Sequence, residues 1–162
     1  APEMCIRDRA PIEIFAAKGN ALISRAATRD LYDWGNMMEQ KLFEGERDLF
    51  RKCFAFYTTI SADKNRINRG FDTSAIDTLD FMKIRRDLFP VIKKKNDFCL
   101  EERKRQAKQY ISNLMQLTEK ENEYMDRFMA KEYCPELLFD DEKIIARICR
   151  HPMAIWKYSK QP

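Results

Sequence analysis

Glycine is scarce. The 162 residues hold 4, at the isolated positions Gly19, Gly35, Gly45 and Gly70. Sheet-rich folds rely on glycine turns and on alternating Val, Ile and Thr, so this scarcity argues against strands. Isolated glycines also exclude a phosphate-cradling loop of the Walker type and a Gly-x-Ser-x-Gly nucleophile elbow. Histidine occurs once, at His151, and none of the 5 cysteines forms a Cys-x-x-Cys pair, which leaves too few ligands for a zinc site. Scattered thiols (Cys5, Cys53, Cys99, Cys134, Cys149) suit a reducing cytosol, so a cytoplasmic location is expected. No apolar run approaches the roughly 20 residues that cross a bilayer, and no membrane association is expected. No Asp-x-Asp pair occurs anywhere in the chain.

What is present is helical. Hydrophobic residues make up 44% and charged residues 35%, a balance that excludes general disorder. Pro11 suits a first helical turn, and Ile14, Phe15, Leu22 and Ala26 follow at helical spacing. Thr28 is placed to cap a second helix whose apolar face is Leu31, Trp34 and Met38, with Gly35 weakening it. A third carries Leu42, Leu49, Phe50, Cys53, Phe54 and Tyr57, and ends in the polar loop 63–69 with Gly70. Short helices are expected over 74–88, through Ile76, Leu79, Met82 and Ile84, and a longer one over 101–117. Thr118 with Glu121 is a capping-box signature, and Asp140 or Asp141 caps a last helix that Pro152 stops. His151, beside that proline, reads as a cap or packing residue. The pattern predicts an all-α fold, an irregular bundle of about six to eight helices.

Residues 1–10 lack a helical period and read as a non-native or disordered segment ahead of a helical domain over 11–162. The run Met4-Cys5-Ile6-Arg7-Asp8-Arg9 resembles a translated sequencing adapter, which implies that the natural chain extends further upstream.

The net charge is +4, but basic residues crowd one stretch: Lys83, Arg85, Arg86, Lys93, Lys94, Lys95, Arg103, Lys104, Arg105 and Lys108. Such a surface suits a protein or RNA partner, although solvated helix faces look the same and aromatics do not interleave with the charges.

One cation interrupts an apolar stripe. Lys18 lies four residues after Ile14 and four before Leu22. Either its stem covers apolar surface while the amine reaches water, or the amine awaits an anion such as a phosphate or a carboxylate. Downstream, Asp30 and Asp33 are three apart and share a helix face, and Arg29 is spaced to pair with Asp33.

These residues resemble a known family. Pro11-Ile-Glu-Ile-Phe-Ala-Ala-Lys18, Ala21-Leu22, Arg25 and Arg29-Asp30-Leu31-Tyr32-Asp33 are similar to the rear active-site motifs of AbiEii/AbiGii-type nucleotidyltransferase toxins. The likeness continues, in order, through Phe89-Pro90-Val91, Leu114 to Thr118, Pro135 to Phe139 and His151 to Lys157. It implies a toxin restrained by a cognate antitoxin and linked to phage defence. An intact relative transfers a nucleotide, with Mg²⁺, from a nucleoside triphosphate (NTP) to an acceptor such as tRNA. By the same resemblance Lys18 binds triphosphate oxygens, Asp30 or Asp33 is the late catalytic aspartate, and Arg25 and Arg29 bind substrate. The family's Gly-Gly/Ser loop and metal-holding Asp-x-Asp pair have no counterpart here. The chain thus resembles only the C-terminal helical portion, without the nucleotidyltransferase sheet, and no turnover or cofactor is expected of it alone. The alternative is a stand-alone helical binding protein or inhibitor in phage–host conflict, acting through Lys93, Lys94, Lys95, Arg103 and Lys104.

Overall fold

The computed structural model describes residues 10–61, 71–93 and 98–160. Among these there are eight α-helices and no strand, so the fold is all-α. No helix among them is long and apolar enough to cross a membrane. Residues 1–9, 62–70 and 94–97 lie outside the described residues, and with them the expected polar loop 63–69, Gly70, Lys94 and Lys95.

Helix α1 (Pro11–Arg25) starts on Pro11 at the first helical position, where the missing N–H is no loss. It ends as Ala26 turns left-handed (φ 52°) and returns its N–H to the Leu22 carbonyl. Helix α2 (Thr28–Glu39) follows at once. Its N-cap is Ala27 with no side-chain cap, so Thr28 is the first helical residue and not the expected cap. The chain then turns through Lys41 and Phe43, both at positive φ, and a short 3-10 turn at Glu44–Glu46 before α3 (Arg47–Ser61). Leu42 belongs to that turn and is exposed, so the stripe of α3 starts later than its spacing suggests.

Helix α3 is the centre of the molecule. Phe50, Phe54, Ala55 and Phe56 are fully or almost fully buried, and α1 packs along it more extensively than any other helix pair. Trp34 of α2 completes the core, with its ring against Phe50, Phe54 and Tyr110 and its indole N–H donating to the Phe15 carbonyl at 3.0 Å. Full burial of each such side chain stabilises by about 1.5–3 kcal/mol, which makes this aromatic knot the main anchor of the fold. On α1 the buried apolar residues are Ile12, Ala16, Leu22 and Ile23, joined by Glu13, Gly19 and Asn20, while Ile14 and Phe15 are half-buried. Leu22 and Ala26 are buried as expected, and the buried face is wider than the expected stripe because α2 and α3 both pack on the helix.

A 3-10 turn (Ser74–Thr78) and α4 (Phe81–Asp87) occupy the 74–88 region. Ile76, Leu79, Ile84 and Leu88 are buried there, but Met82 is 69% exposed, contrary to its expected place on the apolar face. Helix α5 (Leu100–Leu114) ends three residues earlier than the 101–117 reading. Helix α6 (Glu119–Met129) carries the predicted capping box: Thr118 Oγ accepts from the Glu121 N–H and Glu121 Oε1 from the Thr118 N–H. Asp141 caps α7 (Glu142–Cys149), and His151 Nδ1 accepts the Met153 N–H at the start of α8 (Pro152–Lys160).

Candidate functional site

The α1–α2 corner brings together the residues singled out in the sequence. Trp34 packs on Gly19, and the residues just before each of them in the chain, Asp33 and Lys18, come face to face. Lys18 Nζ donates to Asp33 Oδ2 at 2.7 Å. The lysine therefore takes a carboxylate from the next helix, and Asp33 pairs with Lys18, not with Arg29 as the four-residue spacing suggested. The two side chains are 30% and 26% exposed, so the pair can be reached from solvent. Ion pairs of that exposure contribute at most about 1 kcal/mol, which makes this one inexpensive to open.

Asp30 behaves differently. The residue is 7% exposed, and its Oδ2 is buried with no hydrogen-bond partner. The Arg25 guanidinium, itself well exposed, stops 3.9 Å from that oxygen. Burial pushes the Asp30 carboxyl above the ordinary carboxylate range; Lys18 and then Arg25 pull it back only in part, and the like charge of Asp33 adds to the rise. Two carboxylates one turn apart thus sit in unlike settings: Asp33 open and held by an ammonium, Asp30 enclosed and under-solvated. Arg29 is exposed and contributes charge near Asp30, without an ion pair among the described residues.

Among the described residues, five cations of the basic stretch are paired within the fold. Arg103 donates to the Gly35 carbonyl and to Glu39, and Lys104 to the carbonyls of Asp77 and Leu79. Lys108 pairs with Asp77, Arg86 with Asp87, and Arg105 with Glu102. Lys93 is exposed.

The residues do not fit a magnesium ion by themselves. Among the described residues no three His, Cys, Asp or Glu side chains converge, and Lys18 already neutralises Asp33. What the corner can do chemically is hold an anion on Lys18 and Arg25 while Asp33 orients the ammonium.

Spacing gave no sign of two further ion pairs. Arg51 of α3 reaches Glu121 of α6 at 2.6 Å, and Arg147 of α7 reaches Glu13 of α1. The capping box flagged Glu121 but not its partner, and nothing local marks Glu13 or Arg147. No protein-family model, no curated protein and no solved structure matches this chain.

Proposed function

We propose that the chain is the helical portion of an AbiEii/AbiGii-type nucleotidyltransferase toxin and that Lys18 grips the triphosphate of its nucleotide. The carrying observation is the 2.7 Å contact between Lys18 and Asp33 on neighbouring helices, with Asp30 one turn away. In the free protein Asp33 holds the ammonium in place. A triphosphate offers several negative oxygens against one carboxylate, so it displaces Asp33 from an ion pair whose own contribution is small. Arg25, exposed on the same side of α1 two turns on, adds a second cation for the phosphate chain. Asp33 is the carboxylate that substrate can reach; Asp30, enclosed, sets the local field.

By this reading the chain supplies half of a site. It binds and orients phosphate oxygens, while an intact relative brings Mg²⁺-holding carboxylates from another segment, an acceptor such as tRNA and a restraining antitoxin. Alone, the chain transfers no nucleotide. A binding protein acting through the basic stretch draws support from the exposed Lys93, while Arg103 and Lys104 of the same set are tied to carbonyls and a carboxylate of the fold.

Equilibrium dialysis of the purified chain against a labelled nucleoside triphosphate tests the proposal. Saturable binding that is lost in Lys18→Met, without release of pyrophosphate, is expected. No binding, or equal binding by the variant, contradicts it.

A further inference from the structure

A cavity of about 330 Å³ opens between α1, α3 and α7, away from Lys18, which does not line it. Its walls are apolar, formed by Ile12, Leu49, Phe56 and Ile144 among others. The charged residues on its lining are Glu13, Lys143 and Arg147. Their bonding is uneven. Glu13 is 7% exposed and already served on both oxygens, by Arg147 Nη2 and by the Ala10 N–H. Arg147 uses only that one nitrogen among the described residues, and the Lys143 ammonium has no partner among them. Around an apolar hollow, then, the one carboxylate is already engaged on both oxygens while the cations keep unused N–H donors among the described residues.

We infer that this cavity is a ligand site for a small apolar molecule ending in a single anionic group, with the chain in the hollow and the anion on Arg147 and Lys143. The volume lies in the range of small-molecule pockets, and an apolar enclosure with a few convergent polar groups at one end is their usual composition. The sign of the head group follows from the donors. A guanidinium with unused N–H groups takes a carboxylate in a charge-assisted bond, whereas an ammonium head would be repelled by two cations and would compete with Arg147 for Glu13. A neutral head would gain the apolar contacts alone.

Calorimetric titration of the full chain with octanoate, octanol and octylamine tests this. Octanoate is expected to bind one to one, octanol about tenfold more weakly for want of the charge-assisted hydrogen bond, and octylamine not at all. Lys143→Gln changes an exposed side chain, so it keeps the fold and weakens octanoate alone. Arg147→Lys keeps a cation for Glu13 but removes the guanidinium fork, and it too weakens octanoate. Ile144→Trp, helical by circular dichroism, fills the hollow and abolishes binding. Lys18→Met leaves octanoate binding intact, so this site and the triphosphate site fail separately. Absence of octanoate binding, equal binding of all three probes, undiminished binding in Lys143→Gln, or uptake of anionic lipid vesicles without uptake of octanoate overturns the assignment.

Discussion

Trp34 rests on the bare Cα of Gly19, and this close approach sets how α1 meets α2. A Cβ at Gly19 would stand under 3.0 Å from both Trp34 and Phe54, a separation that real side chains do not adopt. The same approach puts Lys18, one residue before Gly19, against Asp33, one residue before Trp34. Core packing and the candidate site are therefore one piece of geometry.

Gly19→Ala is the sharpest test of that link. Alanine raises helix propensity by up to about 1 kcal/mol, but overpacking against a buried indole costs about 1–3 kcal/mol and sometimes more. The clash falls on ring atoms held on several sides, so destabilisation wins. Urea unfolding followed by far-UV circular dichroism should show a lower midpoint, and an unchanged or higher midpoint would contradict the packing described.

Arg51 and its two carboxylates separate a buried pair from an exposed one. Glu121 is 1% exposed and Arg51 13%, whereas Asp48, also on Arg51, is 84% exposed. Arg51→Met leaves the Glu121 carboxylate enclosed without its cation and is expected to cost about 3 kcal/mol or more. Asp48→Ala should cost under about 1 kcal/mol. Chemical denaturation of both variants checks the ratio, and equal losses would contradict it.

Asp30 gives the protein a pH signature. Burial holds its carboxyl above the ordinary 3.8, so over the range above that value the folded chain retains a proton that the unfolded chain has released. Stability contributed at this residue therefore falls as pH rises through the carboxylate range. Asp30→Asn removes the slope. Thermal midpoints measured from about pH 3 to about pH 7 should shift in favour of the variant as pH rises. A constant gap, or one that moves the other way, would contradict a raised carboxyl.

Local chemistry was mostly legible in the sequence, although Thr28 starts α2 instead of capping it and Pro152 opens α8 where it was expected to end the last helix; tertiary choice was not legible. The Thr118–Glu121 capping box, the Asp141 cap and Pro11 at the start of α1 depend on residues within one turn, and each stands where its pattern placed it. The spacing on α1 marks Leu22 and Ala26 as buried but not Ile12, Ala16 or Ile23, because two helices pack on it and no single stripe defines its inside. Gly35 looked like a weak point in α2, yet it makes room for Arg103: a Cβ there would touch the arginine Cδ at 3.0 Å, and the guanidinium donates to the Gly35 carbonyl. Gly19 carried no sequence signal of its packing role either. A missing side chain matters only relative to what approaches it.

The candidate site was legible as a list and not as an arrangement. Lys18, Asp30 and Asp33 were picked out by a cation in an apolar stripe and by shared-face spacing. Which carboxylate takes the lysine depends on how α1 is turned against α2, and a pattern within one helix cannot fix that. Spacing favoured Arg29 with Asp33, and the fold gives Asp33 to Lys18. In the basic stretch, Asp77 and the Leu79 carbonyl lie outside α5 and meet Lys104 and Lys108 only once the chain has folded.

The functional reading meets its most direct test in the reactivity of one amine. Lys18 acetylation is followed by mass spectrometry as a nucleoside triphosphate is added to the wild-type chain, with exposed lysines such as Lys120 and Lys131 as internal references. Slower acetylation of Lys18 that saturates with nucleotide, while the reference lysines are unaffected, is the predicted result. A Lys18 rate that ignores the nucleotide, or that changes only in step with the references, would mean that the amine beside Asp33 does not hold a triphosphate.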